Sequence, residues 1–153
     1  MTCRTIMTAH PHTLKADDPV GKAIGELLGH RYIILPVVGD NDRYLGVFGV
    51  FDLVGLLLPR VATLDSLLPD LGFLKDATPK AMRDRLAEIA LQPISQHLRT
   101  DLPTLQPETS VVEALLLLYR SRLTLPVVDE KTGRLLGVVS QWDALAHLTG
   151  HRQ

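Results

Sequence analysis

The apolar positions of this chain change period several times, and the changes mark out its elements. Val20, Ala23, Ile24, Leu27 and Leu28 recur at helical spacing and share one face. Asp17-Asp18-Pro19 is a helix-start signal, with Asp18 to cap the free amides and Pro19 at the first helical position; Gly29-His30 ends the pattern. Residues 32–38 are then apolar and β-rich. Pro36 among them marks an edge position or a strand start, because proline donates nothing to a central ladder. Gly39-Asp40-Asn41-Asp42 is a turn and residues 44–50 a second strand, so the pair is a hairpin. Asp52 starts a helix carrying Leu53, Val54, Leu56, Leu57 and Leu58, which Pro59 stops.

The second half runs through the same order. Residues 98–105 are extended, with Thr104-Leu105 standing where Thr13-Leu14 stand in the first half. Ser110 and Glu113 have capping-box spacing, and Val111, Ala114, Leu115 and Leu118 form the apolar face of the helix they open. Residues 124–128 are a strand, 129–133 a turn and 135–140 a strand, and Asp143 opens a last helix with Ala144, Leu145 and Leu148. Thr13 and Thr104 stand 91 apart, Val37 and Val127 90, and Asp52 and Asp143 91, which is an internal repeat with ordinary loop drift. The expected class is α+β: two β-α-β-β-α repeats over residues 1–58 and 94–153, with a helical connector at 59–93. Within the connector, residues 63–68 and 78–91 are patterned as helices, the second begun by Thr78-Pro79, and Leu71, Phe73 and Leu74 form a further apolar cluster. Met82, Leu86 and Ile89 share one side, with Arg83, Asp84, Arg85 and Glu88 largely off it. A connector of this length is expected to add a subdomain or a dimer contact.

Composition removes several classes of function. The 153 residues are 46% hydrophobic and 22% charged, as in soluble globular proteins. A net charge of −1, from 16 basic and 17 acidic residues, makes no electrostatic case for nucleic acid. Cys3 stands alone, which excludes an intrachain disulfide and gives no cue for export; residues 1–7 lack the apolar core of a signal peptide. The longest apolar run, 114–119, falls far short of the roughly 20 residues of a membrane span. A cytoplasmic protein is expected. No P-loop, serine nucleophile elbow or acid–base constellation is present, so no enzyme is expected. His10 and His12 near Cys3 match no closed zinc spacing, and His30, His97, His147 and His151 are scattered, so no metal is expected either.

Leu125-Pro126-Val127-Val128 followed by Leu135-Leu136-Gly137-Val138-Val139-Ser140-Gln141-Trp142-Asp143 resembles the cystathionine β-synthase (CBS) domain. Leu35-Pro36-Val37-Val38 with Gly46-Val47-Phe48-Gly49-Val50-Phe51-Asp52 is a looser copy, and the resemblance covers about residues 4–58 and 94–149. A tandem pair of these is a Bateman module. The resemblance implies a pseudo-twofold pair whose clefts bind AMP, ADP, ATP or S-adenosylmethionine. It also implies a disk-like homodimer that regulates an enzyme, channel or transporter. It places Thr104, Leu105, Thr124, Leu125 and Pro126 around the adenine of the second copy, and Thr13, Leu14, Ile34, Leu35 and Pro36 around that of the first.

The chemistry stands independently. A carboxylate accepts from both hydroxyls of a ribose, and a hydroxyl beside a helix N-terminus suits phosphate. Ser140 and Asp143 occupy such a strand-to-helix junction, whereas the first copy keeps Asp52 but has Gly49 in place of the serine. Family members often carry a basic residue just before the aspartate. Here Gln141-Trp142 and Val50-Phe51 stand there, so phosphate charge falls to Arg122, Arg31, Arg120 or His30. One better site is expected around Ser140 and Asp143 with Arg122, and a weaker one around Asp52. The plainer alternatives are that these residues only cap helices, that Trp142 packs, lids a ligand or anchors a dimer, and that the chain is a ligand-free interaction module.

Overall fold

The computed structural model describes residues 1–58 and 78–151. The helix expected at 63–68 and the cluster of Leu71, Phe73 and Leu74 lie outside them. The first repeat contains β2 (Leu14–Lys15), α2 (Val20–His30), β3 (Ile34–Val38), β4 (Tyr44–Gly49) and α3 (Val50–Leu57), preceded by α1 (Cys3–Ile6) and β1 (Thr8–Ala9). After α4 (Pro79–Ala90), the second repeat contains α5 (Val111–Ser121), β5 (Leu125–Val128), β6 (Leu135–Val139) and α6 (Gln141–Thr149). No helix of the described residues is long and apolar enough to cross a membrane.

Several caps form locally as their sequences dictate. The Thr78 hydroxyl accepts from the Ala81 N–H at 3.1 Å, with Pro79 opening the helix, and the Ser110 hydroxyl accepts from the Glu113 N–H at 3.2 Å. The start of α2 differs from expectation. Pro19 is the residue before the helix, and the Asp18 carboxylate accepts from the Lys15 N–H and pairs with Lys22. The free Val20 N–H donates instead to the Gln92 carbonyl at 2.9 Å. A tertiary contact has replaced the local cap. Asp52 and Asp143 likewise do not open their helices; each is the third residue, behind Gly49 and Ser140 as caps.

Pro36 lies in a middle strand, not at an edge, since β3 pairs in parallel with β2 and antiparallel with β4. The ladder tolerates it because β2 registers only with Val37 and Val38. The second repeat shows the bonding: Leu105 N–H donates to the Pro126 carbonyl and Val128 N–H donates to the Leu105 carbonyl, so the proline nitrogen is never asked to donate.

The repeats exchange their leading segments. β1 leaves its own repeat and pairs antiparallel with β6, Thr8 opposite Val138, and Arg99 reciprocally pairs with Val47 on β4. Cys3 and Arg4 N–H groups donate to the Thr109 and Pro107 carbonyls, and Ile94 and Ser95 N–H groups donate to those of Asp18 and Ala16. Cys3 and Ile6 are buried in the core of the second repeat beside Val111, Ala114 and Leu118. Ile94 is buried in that of the first beside Val20, Leu27 and Phe48. At roughly 1.5–3 kcal/mol per large buried apolar side chain, these insertions bind the halves into one unit. The approach of β1 to β6 is close enough that a Cβ on Gly137 would meet the Thr8 carbonyl oxygen at 2.5 Å.

Candidate functional site

β6 runs into α6 through Ser140, where the first-turn amides of the helix have no intrahelical acceptor. The Ser140 hydroxyl accepts from the Asp143 N–H at 3.1 Å, while Asp143 Oδ2 accepts from the Ser140 N–H at 3.0 Å and from its hydroxyl at 2.9 Å. This capping box fixes the carboxylate. Its other oxygen, Oδ1, accepts from the Thr8 hydroxyl at 3.2 Å, delivered by β1 from 135 positions away.

Thr8, Ser140 and Asp143 lie on one wall of a cleft of about 440 Å³ between the repeats. That volume falls within the range of small-molecule sites, about 300–1,000 Å³. Ile33, Ile34, Pro36 and Val47 supply apolar surface from the first repeat, and Pro126 and Val138 from the second, which also contributes Thr124. His10, Pro11, His12, Arg31, Tyr32, Leu35 and the exposed Trp142 complete the lining. A more open depression of about 660 Å³ between α3 and α4 shares no residue with this cleft and carries none of its convergent hydroxyls.

The structure regroups the residues expected at the two sites. Ser140, Asp143, Thr124 and Pro126 of the second copy line the cleft. Leu125 does not: successive residues of a strand face opposite sides, and Leu125 is buried in the core while its neighbours face the cleft. Leu105 is buried in its bridge to Val127, and Thr104 is not among the lining residues. Arg122 ends α5 in the left-handed conformation with its guanidinium over the Tyr119 ring; Arg31, one repeat earlier and with the same backbone conformation, lines the cleft instead. Of the weaker set, Ile34, Leu35 and Pro36 line the Asp143 cleft, Leu14 is buried in its pairing with Val37, and Thr13 borders a separate depression with Asp42 and Arg134. Asp52 borders an open depression with Phe51 and Leu98. Sequence reasoning passed over Thr8, Val47 and Val138. The signal for Thr8 lies only in the repeat offset, which relates it to Arg99 beside Asp52.

The pseudo-equivalent junction is built differently. Asp52 Oδ2 accepts from the Gly49 N–H at 2.8 Å, and no side chain of residue 49 can join it. Burial above all holds the Asp52 carboxyl above the usual range, with Asp101 adding to it and the Gly49 N–H and Arg99 opposing it. Arg99 stands where Thr8 stands in the other half, and its Nε donates to Asp101 at 2.7 Å, which holds Asp101 below the usual range. Serine is excluded at position 49, since a Cβ there would overlap the Ile33 carbonyl oxygen. The cause is the strand register. Ile34 pairs with Gly49 and the Val50 N–H donates to Ile33, whereas the β5–β6 ladder stops at Leu125 opposite Val139 and leaves Ser140 free.

A profile of the CBS domain matches residues 3–59 and 94–150. A CBS domain-containing protein of Dictyostelium discoideum is 28% identical over 143 residues, covering 93% of this chain and 87% of that one. Among solved structures, the CBS-pair protein CBSX2 of Arabidopsis thaliana superposes with a TM-score of 0.75 at 22% identity, covering 99% of this chain and 97% of that one. CBSX2 in complex with AMP gives 0.70 at 21% identity, covering 99% and 98%.

Proposed function

The chain belongs to the CBS-domain family, as a tandem pair in one polypeptide, and from that premise we propose that it is a regulatory module binding an adenosyl compound, AMP foremost, beside Asp143. The observation that carries this is the carboxylate itself, held on the cleft wall by Ser140 and Thr8. A carboxylate offers about four lone-pair positions, and three are used here. The remaining one, with the oxygen of Thr8, supplies two adjacent acceptors for a ribose diol. The apolar surfaces of Ile33, Ile34, Pro36 and Pro126 suit a flat ring. The N-terminus of α6 and Arg31, the one arginine among the described lining residues, suit one phosphate better than three. The AMP complex of CBSX2 is a parallel from a protein of similar fold. Commitment of the Ser140 hydroxyl to the capping box favours binding over nucleophilic attack.

Exposed Phe51 and Val54 on α3, with Leu145 and Leu148 on α6, are the faces through which two copies would pair, and ligand binding would bias the geometry that a regulated enzyme or transporter reads. The second reading, a ligand-free interaction module, draws on the capping box being satisfied without any ligand. Thermal denaturation with AMP, ADP, ATP and S-adenosylmethionine separates the two. AMP at a hundredfold excess over its Kd adds about 2.7 kcal/mol. At about 2–4 °C per kcal/mol, that is a rise of several degrees. No rise with any of the four, in a protein that is a stable dimer, establishes the second reading.

A further inference from the structure

We infer that His12, Glu26 and His30 form a binding site for a divalent metal of the zinc class at the rim of the cleft. The three side chains each bring one ligand atom, and these atoms lie within 4.8 Å of one another. Glu26 and His30 are one turn apart on α2, with Glu26 Oε2 and His30 Nε2 3.5 Å apart. Ligands about 2.0–2.1 Å from a tetrahedral zinc lie about 3.4 Å from each other, so this pair already stands at coordination spacing. His12 comes from the segment between β1 and β2, whose ends are tied to different sheets by the pairings of Thr8 with Val138 and Leu14 with Val37. It has to move by only about an ångström to join, and its exposure leaves its side-chain torsions free to do so.

The donor set names the metal class. Two imidazoles and one carboxylate suit zinc and its late first-row neighbours; calcium and magnesium take oxygen shells. Three protein ligands leave one position open, as in zinc sites that bind an exchangeable water or anion. Tyr32 supports the rings: it stacks on His30 at 5.4 Å between centroids and lies 5.5 Å from His12, and the two histidine rings are 4.9 Å apart. The local spacing of His12 in the sequence hides all this, since its partners lie a helix away. The inference does not depend on the nucleotide reading.

The test uses the full chain without a histidine tag, stripped with chelator and titrated with Zn²⁺ by calorimetry and with Co²⁺ by its visible absorption. One equivalent per chain should bind saturably, and Co²⁺ should develop the intense bands of a four- or five-coordinate site. His12→Ala and His30→Ala should each weaken binding at least tenfold, Glu26→Gln should weaken it less, and His147→Ala should leave it unchanged. All three ligands are at least partly exposed, so these variants keep the far-ultraviolet circular dichroism of the parent. Absence of saturable binding at micromolar metal overturns the inference and leaves a stacked aromatic cluster with a helix ion pair. Binding that survives His12→Ala/His30→Ala, or that is lost in His10→Ala with His12 intact, overturns it as well.

Discussion

The ends of β4 and β6 are the same backbone twice with different chemistry. Both strands receive the leading segment of the other repeat, both enter a helix through a residue whose N–H donates to an aspartate three positions on, and both aspartates sit in the first helical turn. At β6 the junction carries a serine hydroxyl, and a threonine hydroxyl comes across to the second carboxylate oxygen. At β4 the serine is glycine, the threonine is arginine, and the arginine is engaged by Asp101. A ladder one pair longer is enough to separate them. It brings the Ile33 carbonyl over Gly49 and takes up the Val50 N–H, removing the room for a hydroxyl that would hold the aspartate and a first-turn amide that an anion would use. Duplicating a fold therefore does not duplicate a site, because a site depends on register at a single strand end.

The strongest way to break this comparison is with the two aspartates. Asp143→Ala should abolish the AMP-induced rise in Tm, whereas Asp52→Ala should leave it intact; equal losses would restore the symmetry denied here. The ligand-induced shift is the quantity to read, since both residues also cap helices.

Next in size is an exchange at the caps. Gly49→Ser should destabilise by about 1–3 kcal/mol, the usual cost of overpacking, without creating a second AMP site. Ser140→Gly should cost only a few tenths at the cap. Urea midpoints measure both, and a neutral Gly49→Ser would refute the register argument.

Thr8→Val tests the cross-repeat hydroxyl. AMP affinity measured by calorimetry should fall several-fold, in line with about 0.5–1.5 kcal/mol for one hydrogen bond, with stability little changed. Unchanged affinity would remove Thr8 from the site.

The smallest effect is electrostatic. The folded-state pKa of Asp52 is raised, so the folded chain holds more protons than the unfolded one from about pH 4 upward. Through that window this residue makes stability fall as pH rises. Urea midpoints between pH 4 and 6 should decline less steeply in Asp52→Asn than in the parent, and an identical slope would show that burial does not disfavour its charge.

Much of the architecture was legible in the sequence. Helical periodicity marked α2 and α5, the Thr78-Pro79 start of α4 was visible directly, and the offsets of 90–91 residues exposed the repeat. These signals act over a few residues or repeat the same pattern. The candidate cleft was legible only in part. Ser140 and Asp143 are neighbours in sequence and were found together, but grouping the remaining residues by repeat assigned Arg122 in place of Arg31 and separated Ile34 and Pro36 from Asp143. Side-chain alternation then sent Leu125 inward while its neighbours faced the cleft.

The sequence by itself determined the CBS pair, most of its elements outside the leading segment, and the pairing of Ser140 with Asp143 at the second junction, because periodicity and capping are local and hydrogen bonds between near neighbours enforce them. Only the tertiary structure decided that the leading segments cross over, that Thr8 meets Asp143, that Gly49 has no room for a side chain, and that His12 stands beside Glu26 and His30. Those outcomes depend on which strand lies next to which and where each ladder stops. Burial of Cys3, Ile6 and Ile94 in the opposite repeat settles both, through contacts between residues far apart in the chain that no local pattern carries.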